Sequence, residues 1–219
     1  MEKWTNNDLY IVENLIEEEP YQKIILENSR KNDLPEMEIS PTQGKFLYLL
    51  AKIKGAKRVL EIGTFVGYST IWLAKAITDD GLVVSLEFDE HYSEIARRNI
   101  ELADFSDKVT IITGDAAESL HKLVEENESP FDMIFLDADK PNYPTYLKLI
   151  LKLSKPGTII YGDNVIRDGE LCNESTKDEK VIGVRNYIES LGKSELLDST
   201  ALQTVGIKGY DGFSLSIVK

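Results

Sequence analysis

From residue 58 the chain alternates short apolar runs with helix-length amphipathic stretches, and this alternation limits its fold more than any other feature. The runs "RVLEIG", "LVVSLE", "KVTIIT", "FDMIFLD" and "GTIIYGD" read as strands, with helices starting near Ser69, Glu90, Ala116 and Tyr143 between them. Strands separated by helices need crossovers, and right-handed crossovers lay the strands parallel in one sheet covered on both faces. Upstream, "NNDLYIVENLIEE", "YQKIILENSRKNDL" and "SPTQGKFLYLLAKIKG" carry helical spacing; in the last, Ser40 caps, Pro41 begins and Gly55 ends the helix. After a helix near "EKVIGVRNYIESLG", the runs "TALQTVGI" and "GFSLSIVK", joined by "KGYD", predict a closing hairpin with one antiparallel strand. The expectation is an α/β chain forming one domain over residues 1–219, with helices to residue 55 and the core from residue 56.

Composition removes several function classes. No apolar run reaches the roughly 18 residues of a spanning helix, and "MEKWTNNDLY" lacks signal-peptide character, so a cytoplasmic location is expected, with no membrane partner. Cys172 is the only cysteine, which leaves no disulfide framework and no thiolate metal cluster. A formal net charge of -13 disfavours a grip on nucleic-acid phosphates, because counterion release needs clustered Lys and Arg.

Ligands of open parallel sheets bind at the carboxyl ends of the strands, so the strand ends carry the functional reading. The first end, "EIGTFVG", has the spacing E-x-G-x-x-x-G, with Thr64 where a dinucleotide fingerprint would place its second glycine. Gly63 and Gly67 open the turn, and Glu61 puts an anion beside it, which suits a ligand bearing an amino group and a sulfonium. The second strand ends in Glu87, 20 residues after Gly67, where a carboxylate takes the hydroxyls of an adenosine ribose. The third ends in "TGDA", a small-residue turn at Ala116 with room for an adenine. Together they favour S-adenosylmethionine over a nicotinamide dinucleotide.

The fourth and fifth strands end in "LDADK" and "GDN". If neighbours, they bring Asp137, Asp163 and Asn164 into one cleft, an oxygen-only donor set suited to Mg²⁺ first, and also to Mn²⁺ or Ca²⁺. Taken singly, Asp137 can instead cap the next helix and Asp163–Asn164 can make a turn. Zinc is disfavoured, since His91 and His121 fall in helical segments away from the cluster. Phe65, Tyr68, Trp72 and Tyr143 are candidates for an aromatic acceptor wall, although Trp72 has the position of a core residue.

The stretches "VLEIGTFVGYSTIWLA", "DMIFLDADKPNY" and "IIYGDNVIRDGE" resemble the cation-dependent, S-adenosylmethionine-dependent O-methyltransferases, the group of catechol and caffeoyl-coenzyme A O-methyltransferases, in its small bacterial form. The resemblance implies a Rossmann-like class I fold with a seven-stranded, mostly parallel sheet whose last strand is antiparallel. It implies metal ligation by Asp137, Asp163 and Asn164, and Lys140 as the base near the acceptor hydroxyl. Met37, Ile39, Glu61, Gly63, Thr64, Gly67, Ser69, Glu87, Ala116 and Asp137 fall on its cofactor segments, Asp139 lines its acceptor pocket, and its members are usually dimers. The segment "VIRDGELCNESTKDEK" lacks the tryptophan of plant relatives, and no basic patch for coenzyme A stands out, so a small catechol-like phenol is the expected partner. Methylation of a hydroxylated uridine in transfer RNA, a cofactor-binding regulator without turnover, and a dehydrogenase are the competing readings.

Overall fold

A computed structural model describes residues 3 to 219. Three helices, α1 (Lys3–Leu15), α2 (Pro20–Lys31) and α3 (Pro41–Lys54), precede the sheet. The third starts and stops as its sequence dictates: Ser40 Oγ accepts from the Gln43 N–H at 3.2 Å, Pro41 fills the first position, and Gly55 ends it at φ +63°.

The sheet is built from β1 (Arg58–Ile62), β2 (Leu82–Glu87), β3 (Val109–Thr113), β4 (Phe131–Leu136), β5 (Ser154–Asp163), β6 (Leu197–Gly206) and β7 (Gly209–Val218). Their order is β3-β2-β1-β4-β5-β7-β6. Only β7 runs antiparallel to its neighbours β5 and β6, so the other six strands share one direction. The intervening helices are α4 (Tyr68–Ala76), α5 (Glu90–Leu102), α6 (Ala116–Glu125), α7 (Tyr143–Lys152) and α8 (Glu179–Lys193).

Alternating residues of the central strands feed two cores. Leu60, Ile62 and Ile134 pack with α6, α7 and α8 on one face, while Val59, Met133 and Phe135 pack with α3 and α4 on the other. This explains why the central strands read as continuous apolar runs. No helix among the described residues is long and apolar enough to cross a membrane.

The closing hairpin is longer than its sequence suggests. The strands pair from Leu197 with Val218 to Gly206 with Gly209, and Ile207 and Lys208 alone make the turn. Polar "KGYD" reads as a loop, but β6 is exposed along nearly its whole length. Polar side chains cost nothing on such a surface, so ladder hydrogen bonds extend through Tyr210 and Asp211.

Strand order reverses between β1 and β4, each of which turns to a helix on leaving the sheet. Backbone bonds tie these exits together: the Asp137 N–H donates to Ile62 O and the Gly63 N–H to Leu86 O, both at 2.9 Å. The switch point is therefore a fixed rim from which side chains enter one cleft.

Candidate active site

The cleft along this rim has a volume of about 930 Å³. That lies toward the upper end of small-molecule pockets, which run to about 1,000 Å³. The loop after β1, the ends of β2, β4 and β5, the turn before α6 and the segment before α3 all contribute to its wall.

Gly63 has φ +103°, and a Cβ there would stand 2.0 Å from the Asp137 carbonyl oxygen. The position needs glycine because β1 and β4 exit so close together, whatever ligand the loop receives. Gly67 has φ +83° at the start of α4 and does not reach the cleft.

Glu87 organises the loop. Its Oε2 accepts from the Thr64 N–H at 3.1 Å and the Phe65 N–H at 2.7 Å, and its Oε1 accepts from the Asp89 N–H at 2.9 Å. Three of about four lone-pair sites are thus in use, which leaves the carboxylate room for about one ribose hydroxyl. Glu61 lies deeper and is fully buried behind the cleft wall. Its carboxyl accepts from Ser69 Oγ and Thr70 Oγ1, each at 2.5 Å, and from Ser85 Oγ at 2.6 Å. Burial pushes its pKa up to about 7, against the pull of those three hydroxyls.

The two aspartates of "DADK" part ways. Asp137 Oδ1 accepts from Lys140 Nζ at 2.8 Å, whereas Asp139 turns to the hydroxyl of Tyr146 and to Asn142 Nδ2, the latter at 2.6 Å. Lys140 is buried and also donates to the Tyr143 hydroxyl at 2.7 Å. That hydroxyl in turn faces Leu136 O at 2.9 Å and Asp163 O at 3.1 Å, so Tyr143 is a strut between the two strand ends. Asp163 is buried, and burial first, then the charge of Asp137, raises its pKa to about 7 while Lys140 opposes the rise. Asn164 follows at φ +53°.

The candidate positions divide accordingly. Met37, Ile39, Gly63, Thr64, Ser69, Glu87, Ala116, Asp137, Asp139, Lys140, Asp163 and Asn164 all line the cleft. Glu61 and Gly67 stand outside it and shape the loop from behind. The ion-pair partner of Lys140 is Asp137, on the same short turn. Phe65 and Tyr68 reach the cleft, Trp72 is core, and Tyr143 is fully buried, so it cannot serve as an acceptor wall. Tyr146, one turn further along α7, does line the cleft. Reading missed it because helical spacing makes an aromatic there look like core. Gln43 also escaped, since nothing marks an amide on α3 as facing the sheet until the fold brings it beside Asp163.

A doubly covered sheet with one antiparallel strand, opening on a cleft at its switch point, is the Rossmann-like architecture of S-adenosylmethionine-dependent methyltransferases. The chain belongs to the O-methyltransferase family, whose model matches residues 12–216. It is 48% identical over 186 residues to a catechol O-methyltransferase from Niastella koreensis, covering 85% of this chain and 84% of that enzyme. It is 41% identical over 212 residues to a catechol O-methyltransferase from Mycobacterium tuberculosis, covering 97% and 94%. An O-methyltransferase from Bacillus cereus, solved in complex with SAH, superposes with a TM-score of 0.97 at 48% identity, covering 99% of this chain and 98% of that one.

Proposed function

We propose that the protein methylates one hydroxyl of a catechol-like acceptor, using a divalent cation held by Asp137, Asp163 and Asn164. The observation that carries the reading is the convergence of two carboxylates and an amide beside a buried lysine at the rim of the cofactor cleft. The donor set fits such an ion. The charge of Asp137 adds to burial in raising the pKa of Asp163, a crowding of negative charge that a hard cation relieves, and oxygen donors are what Mg²⁺, Mn²⁺ and Ca²⁺ take. A bound cation supplies charge that stabilises a phenolate at neutral pH.

The chain's own residues do the rest. Glu87 accepts a ribose hydroxyl, and Met37 and Ile39 close over the methionine end. Lys140 Nζ, held between Asp137 and the Tyr143 hydroxyl, receives the phenolic proton or orients the oxygen. The cleft wall aligns acceptor oxygen with methyl carbon and keeps competing water out. The enzyme acts in the cytoplasm as one domain on a small phenol. It works as a homodimer, for which exposed Tyr10 and Leu15 on α1 and Leu202 on the adjacent edge strand β6 offer apolar contacts.

The test is methyl transfer to catechol before and after chelation. Activity should vanish with chelator and return with Mg²⁺, and Asp163→Asn should raise the metal concentration needed while sparing cofactor affinity. Full turnover by a rigorously metal-free preparation refutes the reading.

A further inference from the structure

The loop after β5 is held in a conformation that side chains resist. Asn164, Arg167 and Asp168 have φ of 53°, 54° and 55°, and such left-handed backbone in non-glycine residues persists only where its surroundings impose it. Asp211 imposes it from β7: its Oδ1 accepts from the Ile166 N–H at 2.9 Å and the Arg167 N–H at 3.0 Å. Arg185 clamps the far end of the loop from α8, donating to Leu171 O at 3.0 Å and Asn173 O at 2.6 Å.

Arg167 is thereby aimed into the cleft shared by Asp137, Asp163 and Asn164. Its Nε is sealed from solvent and has no hydrogen-bond partner among the described residues. The other ion pairs around the cleft are closed: Lys140 holds Asp137, and Lys208 on the hairpin turn holds Glu38. Asp139 is occupied by Tyr146 and Asn142. A second cation without an ion-pair partner among the described residues, Lys180, lines the cleft from the first turn of α8. That turn comes close to the active lysine, since a Cβ on Gly183 would stand 2.3 Å from the Lys140 carbonyl oxygen.

The Arg167 side chain makes no ion pair or hydrogen bond among the described residues; with Nε sealed, its terminal nitrogens are the ones that can meet a ligand in the cleft, and a guanidinium matches a carboxylate in bidentate fashion. We propose that Arg167, assisted by Lys180, selects acceptors bearing a carboxylate, so that the preferred substrate class is a dihydroxylated aromatic acid rather than a neutral catechol. The inference deepens the catechol reading and rests on it. Its electrostatic logic is local: a chain of net charge -13 repels an anionic acceptor, and cations at the acceptor side offset that repulsion.

A dihydroxybenzoate and its methyl ester share the ring and the vicinal hydroxyls and differ in charge. Wild-type enzyme with cofactor and Mg²⁺ should show a higher kcat/KM for the acid. Arg167→Gln should lower the acid-to-ester ratio by about tenfold or more, mainly through KM, and Arg167→Lys should recover part of it. Lys180→Gln, on an exposed helix turn, should move the ratio the same way by a smaller factor. Calorimetric affinity for the dihydroxybenzoate, measured with SAH and Mg²⁺, should fall in parallel. An acid-to-ester ratio unchanged in both folded variants overturns the assignment and leaves the catechol reading intact. Failure of the wild type to methylate either compound overturns that reading, and the inference with it.

Discussion

Glu61→Gln separates the support of the cofactor loop from its chemistry. The carboxyl is fully buried and its pKa rises from an ordinary 4.5 to about 7, chiefly through burial. Between those values the folded protein keeps a proton that the unfolded chain has released. The group's contribution is therefore complete below about pH 4.5 and is lost as pH rises through about 7. A difference of about 2.5 units corresponds to roughly 3 kcal/mol of stability lost across that window. Glutamine is neutral throughout and can keep its one oxygen toward the Thr70 and Ser85 hydroxyls, with its amide nitrogen facing Ser69 Oγ, so the variant lacks this pH-dependent loss. Urea unfolding of the metal-free, cofactor-free protein, followed by the fluorescence of buried Trp72, measures it. The stability of Glu61→Gln relative to wild type should rise by roughly 3 kcal/mol between about pH 5 and about pH 8.5. Asp163, also raised to about 7, adds a slope of the same sign, but it is present in both proteins and cancels in the difference. A difference flat within about 0.5 kcal/mol would show that the three hydroxyls keep Glu61 ionised, and would refute the reasoning.

Two further substitutions probe the cleft directly. Lys140→Ala should lower turnover by about 10²- to 10⁴-fold and recover in part as pH rises and the acceptor ionises unaided; near-normal turnover across the pH profile would reduce Lys140 to an orienting charge. Glu87→Ala removes one charge-assisted bond to the ribose, worth about 1.5 to 3 kcal/mol, and should weaken calorimetric cofactor affinity by at least about tenfold. The same variant strands the Thr64 and Phe65 N–H groups and should lower thermal stability, which a purely ligand-facing carboxylate would not do.

What reading recovers follows from where the determinants lie. Alternation and caps are local, so the strands, the starts of α5, α6 and α7 and both ends of α3 are visible in the sequence. The carboxylate pair at the ends of β4 and β5 is visible too, once parallel neighbours are assumed, because each strand exposes its final residues at the same rim. Hidden features depend on contacts between distant segments. Glu61 looks like a ligand-facing anion until Ser85 on β2 and Thr70 on α4 are found pointing at it. Tyr143 looks like a pocket wall until its hydroxyl is found bridging Lys140 and two carbonyls. Arg167 carries no local signal, since its direction comes from Asp211 on the last strand, 44 positions away.

Asp137 ties the two halves of the site together. Its N–H is bonded to Ile62 O, its carbonyl fills the space that a side chain at position 63 would need, and its carboxylate holds Lys140. Three roles meet at one residue because the strand order reverses there and the two loops leave in opposite directions from adjacent strands. A Gly63→Ala change would therefore do more than crowd the loop after β1: by pushing on the Asp137 backbone it would shift the carboxylate that holds Lys140 and that the proposed metal would share. The loop after β1 and the proposed metal site are therefore coupled through a single peptide unit, and the E-x-G and D-x-D-K motifs depend on each other although Glu61 and Asp137 lie 76 positions apart.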